Sequence, residues 1–211
     1  MNAMESFGFI SEKLKKNEKL KLFVLNLLVN PIRTRPRLWL RLLRPLYIKK
    51  GHRSVLCSSV RKDIVPFNKF IIGRNSVVED YATVNNMVGD IEIGDNTRIG
   101  IGNVIIGPVS IGNNVNLAQN VTVSGLDHNY EDVNSSIASQ GVSTAQIVIE
   151  EDVWVGANSV ITKGIRISSH SVVAACSLVN KDVPPFSIVG GNPAKLLKQY
   201  SKESGKWERV L

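Results

Sequence analysis

Of the three histidines in this chain, His128 sits where a proton-transfer group would be most useful. Imidazole is the side chain best suited to take a proton near neutral pH, for instance from a hydroxyl about to act as a nucleophile. His128 is flanked by Asp127 and Tyr130 in a long polar segment, SGLDHNYEDVNSSIASQGVSTAQIV. Structureless loops of that size in compact domains are uncommon and usually functional. The plainer reading of the same residue is a surface histidine in a polar loop. His170, between Ile167 and Val173, is expected at a solvent-facing corner, and His52 lies in a basic stretch; neither is assigned a role. Three histidines scattered singly do not make the ligand set of a catalytic zinc, so no metal is expected. Neither Cys57 nor Cys176 sits beside a histidine in sequence, which gives no sign of an activated thiol. Two cysteines are too few for a disulfide framework and fit a reducing cytoplasm.

The His128 segment interrupts a strict pattern. Ile72, Val78, Val84, Ile93, Ile99, Ile105, Ile111, Leu117, Val123, Ile149, Val155, Ile161, Ile167, Val173 and Val179 fall on a six-residue beat, and all are aliphatic. Strands alternate with period two and helices with period near 3.6, so a period of six fits short strands separated by corners and stacked as coils. Four residues after the beat comes a smaller or β-branched position, among them Ser76, Ala82, Thr97, Val109, Val115, Val121, Ser159, Ser171 and Ser177, also expected to face inward. Gly73, Gly94, Gly100, Gly112 and Gly156 directly follow the beat, where a corner needs φ values or close packing that a β-carbon resists. Fifteen hexads taken three to a coil give five coils, a prism roughly 24 Å long. A sandwich of antiparallel strands would instead show alternation and turns about every 8 to 12 residues. The beat breaks twice: Val84 to Ile93 is nine residues, a bulge within NNMVGD, and Val123 to Ile149 is 26, the His128 excursion.

With 211 residues and 43% hydrophobic content, the chain has room for one medium domain and an appendage. The net charge of +8 is uneven: residues 1–62 hold 15 Lys and Arg against 3 acids, and residues 63–211 hold 11 against 15. No reading element with stacking aromatics accompanies that excess, so nucleic acid is discounted as a partner. The basic end carries an apolar run from Leu20 to Val29 and then RPRLWLRLLRPLYIKK. Neither piece approaches the roughly 20 apolar residues of a spanning helix. Two readings stand together: residues 1–50 form interfacial helices on an anionic membrane, or they cap the open end of the solenoid. With no convincing secretion signal, the expected location is the cytoplasm, peripheral to the inner face of its membrane if the first reading holds.

The hexads, together with SGLDHNY, IVIEEDVWVGANSVITKGIRI and SVVAACSLVNKDVPPFSIVGGNPAKLLK, resemble the hexapeptide-repeat acyltransferases. The branch is that of the galactoside and maltose O-acetyltransferases and the sugar O-acetyltransferases of capsule and O-antigen synthesis. The likeness covers about residues 53–200. It implies a mainly β fold, a left-handed parallel β-helix assembled as a homotrimer, with acetyl-CoA as co-substrate in the groove between neighbouring prisms. The expected parts are a basic amphipathic helical extension over 1–52, the β-helix over 53–190 with its loop at 124–148, and a short C-terminal helix within 191–211. By the same resemblance His128 is the general base, and a backbone N–H near Gly156 and Ala157 meets the oxyanion. CoA contacts map to Ala157, Ala175, Asn180, Lys181, Lys195 and Lys198. For Lys195 and Lys198 an exposed basic helix face is the alternative. Trp154 lines the acceptor pocket or packs a subunit interface. Where relatives carry an acceptor-positioning Asn this chain has Arg98, with Asn103 and Asn116 nearby, so that role is not carried over.

The expected activity is therefore direct acetyl transfer from acetyl-CoA to a sugar hydroxyl, in surface polysaccharide biosynthesis. A sugar N-acetyltransferase of the same fold and a non-catalytic solenoid scaffold are the alternatives.

Overall fold

The computed structural model describes residues 23–24, 26–30 and 32–210, so residues 1–22 of the expected N-terminal extension lie outside it. From Ile48 onward the chain winds as a three-sided parallel β-helix. The first face stacks Ile48–Lys50, Phe70–Ile72, Ile91–Ile93, Val109–Ile111, Ile147–Ile149 and Arg166–Ile167. The second stacks Val55–Leu56, Val77–Val78, Arg98–Ile99, Asn116–Leu117, Trp154–Val155 and Val172–Val173, and the third Arg61–Asp63, Thr83–Asn85, Val104–Ile106, Thr122–Ser124, Val160–Ile161 and Leu178–Val179. Within each face the stacked strands are parallel and in register, as in Val84↔Ile105↔Val123↔Ile161.

All fifteen beat residues are buried, as are the nine smaller positions expected beside them. Three of the buried hydroxyls are satisfied by the coil above: Ser76 Oγ donates to Gly94 O at 2.6 Å, Thr97 Oγ1 to Gly112 O at 2.8 Å, and Ser159 Oγ to Ala174 O at 3.0 Å. The corners divide two tasks between neighbouring residues. The left-handed conformation falls to Asn75, Asn96 and Asn114 on one corner and to Asn120 and Asn158 on the next, with φ between 54° and 58°. Asn tolerates that region better than most residues. The glycines just after the beat serve close packing: a β-carbon on Gly94 would stand 2.6 Å from the carbonyl carbon of Gly112.

The solenoid has six full coils rather than five, because it begins at Ile48, inside the segment assigned to the extension. The first coil carries Lys50, Leu56 and Lys62 in register with the beat residues Ile72, Val78 and Val84, so only one of its three positions is aliphatic. Lys62 closes the end of the prism, its Nζ donating to Cys57 O at 2.8 Å and Val60 O at 3.1 Å. Burial there pushes its pKa below the usual lysine value. Ahead of this coil, Val29–Asn30 pairs antiparallel with Arg35–Pro36, and two short helices, Leu38–Leu42 and Arg44–Tyr47, lead into Ile48. Leu28, Val29 and Leu40 pack with Val65, against Phe67 and Met87. The NNMVGD bulge thus supports the cap. Its Asn86 is fully buried, accepting from Val65 N at 2.8 Å and donating to Asn68 O at 2.8 Å.

The expected C-terminal helix is absent. Ser187–Gly191 continues the second face, and Ala194–Ser201 and Lys206–Arg209 add to it as antiparallel strands. An open strand edge offers unpaired N–H and C=O groups, and pairing with it outweighs the modest helix propensity of AKLLKQY.

Candidate active site

The His128 excursion leaves the prism at the corner between the third and first faces, after Thr122–Ser124, and returns at Ile147. Its base is closed by Ala145 N donating to Gly125 O at 3.0 Å. Gly125 can occupy that base because it has no β-carbon, which would come 2.7 Å from Pro108 O. The expected structureless loop is instead an ordered hairpin in which Leu126–His128 pairs antiparallel with Val142–Thr144, placing His128 opposite Val142. Two side chains fix its tip. Gln140 Nε2 donates to Asp132 O at 2.9 Å, and Asp132 Oδ2 accepts from Ser135 Oγ at 2.6 Å. That hydroxyl bond holds the Asp132 carboxyl below the usual range. His128 is exposed, and its imidazole has no hydrogen-bond partner among the described residues.

From the coil above, Lys163 reaches both strands of the hairpin. Its Nζ donates to Ser143 Oγ at 2.5 Å and lies 3.3 Å from Asp127 Oδ2. The residue preceding His128 is therefore tied to the solenoid, a link between positions 36 apart that no local motif announces.

Gly156, Ala157 and Ala175 gather at a different corner, between the second and third faces, on consecutive coils. Ala157 O accepts from Cys176 N at 2.8 Å, and a β-carbon on Gly156 would stand 2.5 Å from Ala175 N. Glycine and alanine thus keep the side chains short at this corner, where successive coils pack closely. Trp154 points outward from the neighbouring second face, half-exposed, in register with Asn116 below it. Asn180 and Lys181 are exposed on the hairpin's own corner, two coils above the coil from which it departs, and Lys195 and Lys198 lie on the added strand Ala194–Ser201 rather than on a helix. Within one chain, then, the third face separates His128 from Gly156.

Other residues noted from the sequence sort themselves out. Asn103 is fully buried, its Oδ1 accepting from Val121 N at 2.6 Å, so it serves the core rather than an acceptor. Arg98 pairs with Glu79. His170 lies at a corner with φ 55°, stacked on Phe186 with ring centroids 5.1 Å apart. Cys176 occupies an exposed corner with φ 59°. Among the described residues no three His, Cys, Asp or Glu side chains gather as a metal site.

Two family models match the coils on either side of the hairpin: bacterial transferase hexapeptide repeats over residues 90–125, and the hexapeptide repeat of succinyl-transferase over residues 146–181. With the six-residue beat and the left-handed parallel β-helix it builds, these matches show that the coils on both sides of the hairpin are similar to the hexapeptide repeats of transferases. Among curated relatives, a 2,3,4,5-tetrahydropyridine-2,6-dicarboxylate N-acetyltransferase of Staphylococcus aureus is 45% identical over 60 residues, 28% of this chain and 25% of that one. The chain thus matches about a quarter of that relative's length. Among solved structures, the hexapeptide-repeat acetyltransferase VCA0836 from Vibrio cholerae is 26% identical with a TM-score of 0.54, covering 96% of this chain and 95% of that one. The same protein is also known in complex with acetyl coenzyme A. A point variant of AntD, an N-acyltransferase from Bacillus cereus in complex with dTDP-4-amino-4,6-dideoxyglucose and coenzyme A, shares the fold at 17% identity. Its TM-score is 0.65, with 78% of this chain and 90% of that chain covered.

Proposed function

We propose that this protein is an acetyl-CoA-dependent acetyltransferase that modifies a carbohydrate, and that its acceptor group is a sugar hydroxyl of a surface polysaccharide or its precursor. One observation carries the reading: a hexapeptide-repeat solenoid, interrupted once by an ordered hairpin, presents on that hairpin an exposed imidazole with no hydrogen-bond partner among the described residues. The likeness to an acetyltransferase known with acetyl coenzyme A supports the donor, and the fold shared with an N-acyltransferase known with a sugar nucleotide supports a carbohydrate acceptor.

In this mechanism His128 takes the proton of the acceptor hydroxyl as its oxygen attacks the thioester carbonyl. The tetrahedral intermediate collapses with cleavage of the C–S bond, and the imidazolium returns the proton to the departing CoA sulfur. A backbone N–H near Gly156 or Ala157 meets the oxyanion, while Trp154 borders the acceptor. Lys181, Lys195 and Lys198 supply positive charge for CoA phosphates. Because His128 and Gly156 lie on different corners of one prism, the complete site lies between copies, with the hairpin of one facing the glycine corner of another in a homotrimer.

A second reading, N-acetylation of an amino sugar, is favoured by the N-acyl chemistry of the Staphylococcus aureus and Bacillus cereus relatives. Release of CoA thiol from acetyl-CoA, measured against a matched panel of neutral and amino sugars, separates the two. Acetylation of neutral sugars supports O-transfer, activity confined to amino sugars replaces it with N-transfer, and no turnover with any acceptor argues for a scaffold.

A further inference from the structure

The N-terminal cap is two-sided. Leu40, 2% exposed, and Tyr47 turn onto the first coil, with Tyr47 Oη donating to Leu40 O at 3.0 Å. On the opposite side Leu38, Leu42 and Leu46, spaced four residues apart, are 74%, 82% and 74% exposed, and Trp39 and Leu43 widen the stripe. Covering the solenoid therefore consumes only one side of these helices. The surrounding charge has a single sign: residues 19–62 contain twelve Lys and Arg and no Asp or Glu. Arg35, Arg37, Arg41, Lys49 and Lys50 from that set are exposed around the stripe.

We propose that this face docks on an anionic lipid bilayer, as at the inner surface of a cytoplasmic membrane. Leu38, Leu42 and Leu46 enter the boundary between headgroups and acyl chains, and the flanking Arg and Lys meet lipid phosphates. Apolar stripes edged by cations bind interfaces in this way, with each basic residue adding to attraction for anionic lipid. No described helix is long and apolar enough to cross a membrane, so the attachment is peripheral. A second copy is a poor occupant, because two such faces would bring like charges together. Docking through the first coil sets the prism on its end, and the His128 hairpin, three coils further along, stands about 14 Å up the axis at the usual strand spacing.

The test is co-sedimentation of the full chain with phosphatidylglycerol vesicles and, separately, with phosphatidylcholine vesicles, at low and high salt. The wild type should bind phosphatidylglycerol at least about tenfold more strongly than phosphatidylcholine and lose most of that binding at high salt. A Leu38→Ser, Leu42→Ser, Leu46→Ser variant should weaken phosphatidylglycerol binding by about tenfold or more, with thermal unfolding and particle size in light scattering unchanged. Arg35→Gln, Arg41→Gln and Lys49→Gln together should remove the preference for anionic lipid. The proposal is overturned if the wild type stays in the supernatant with phosphatidylglycerol at low salt, or if the leucine variant binds as well as wild type. A smaller particle for the leucine variant would assign the stripe to contacts between copies and also overturn it. None of these outcomes depends on the acetyltransferase reading, which the vesicle assay leaves untouched.

Discussion

Lys163→Met removes the clamp that holds the His128 hairpin against the solenoid. Two contacts are lost, the bond to Ser143 Oγ at 2.5 Å and the ion pair with Asp127 at 3.3 Å. A hydrogen bond to a charged donor contributes about 1.5–3 kcal/mol, toward the low end where the donor is partly solvated. The ion pair adds less than about 1 kcal/mol, because the lysine and aspartate side chains are 30% and 54% exposed. Methionine preserves much of the aliphatic stem, so the net loss is about 1.5–2 kcal/mol in placing the hairpin. If catalysis requires the clamped position, kcat/KM falls about 10- to 30-fold. Lys163→Arg, which keeps a cation within reach of both partners, should recover most of it. Steady-state CoA release gives the first readout. Hydrogen exchange at the Asn129 amide, which donates to Gly141 O beside His128, gives the second and should accelerate. Unchanged turnover with faster exchange would separate the hairpin from the chemistry, and unchanged values of both would refute the clamp.

Further tests address the prism and its corners. Gly156→Ala forces a methyl to within 2.5 Å of Ala175 N; overpacking of this kind costs about 1–3 kcal/mol, so thermal denaturation should show a lower midpoint and calorimetry weaker CoA binding. Ile105→Ala, at a fully buried position in register with Val84 and Val123, should cost about 2–5 kcal/mol in urea unfolding without abolishing CoA binding. Glu150 accepts from Arg166 Nη1 at 2.7 Å and from Ser169 N at 3.0 Å, the arginine bond being the main cause that holds its carboxyl below the usual glutamate range. Its folded pKa therefore lies below the unfolded one, and the stability it contributes is present above the unfolded value and lost as pH falls through the folded value. The advantage of wild type over Glu150→Gln in urea titrations should shrink from pH 6 toward pH 3.

Much of the fold was legible because the solenoid interior repeats one physical demand. Each coil after the first needs an aliphatic residue at three stacked positions, so Ile72 through Val179 announce themselves. The first coil escaped because its end faces a cap rather than another coil, which allows Lys62 to lie inward and bind backbone carbonyls. Residues 194–201 escaped because their conformation depends on the edge of Ser187–Gly191, to which AKLLKQY alone does not point. At the candidate site, His128 stood out through its residue type and the break in the beat. Lys163 did not, since its contact with Asp127 and Ser143 exists only once one coil is laid on another. The order within the hairpin was equally hidden, resting on its strand pairing and on the several bonds that Gln140 and Asp132 make at its tip. Asn103 and Asn116 look alike as residues, yet one faces the core and the other the surface beside Trp154.

The most direct measurement compares acetyl-CoA turnover by wild type and His128→Ala in the presence of a glycan acceptor, with CoA binding followed in parallel. With His128 as general base, turnover should fall by about 10²- to 10⁴-fold, while CoA affinity and particle size stay those of the wild type. Near-wild-type turnover in His128→Ala would contradict the proposed chemistry.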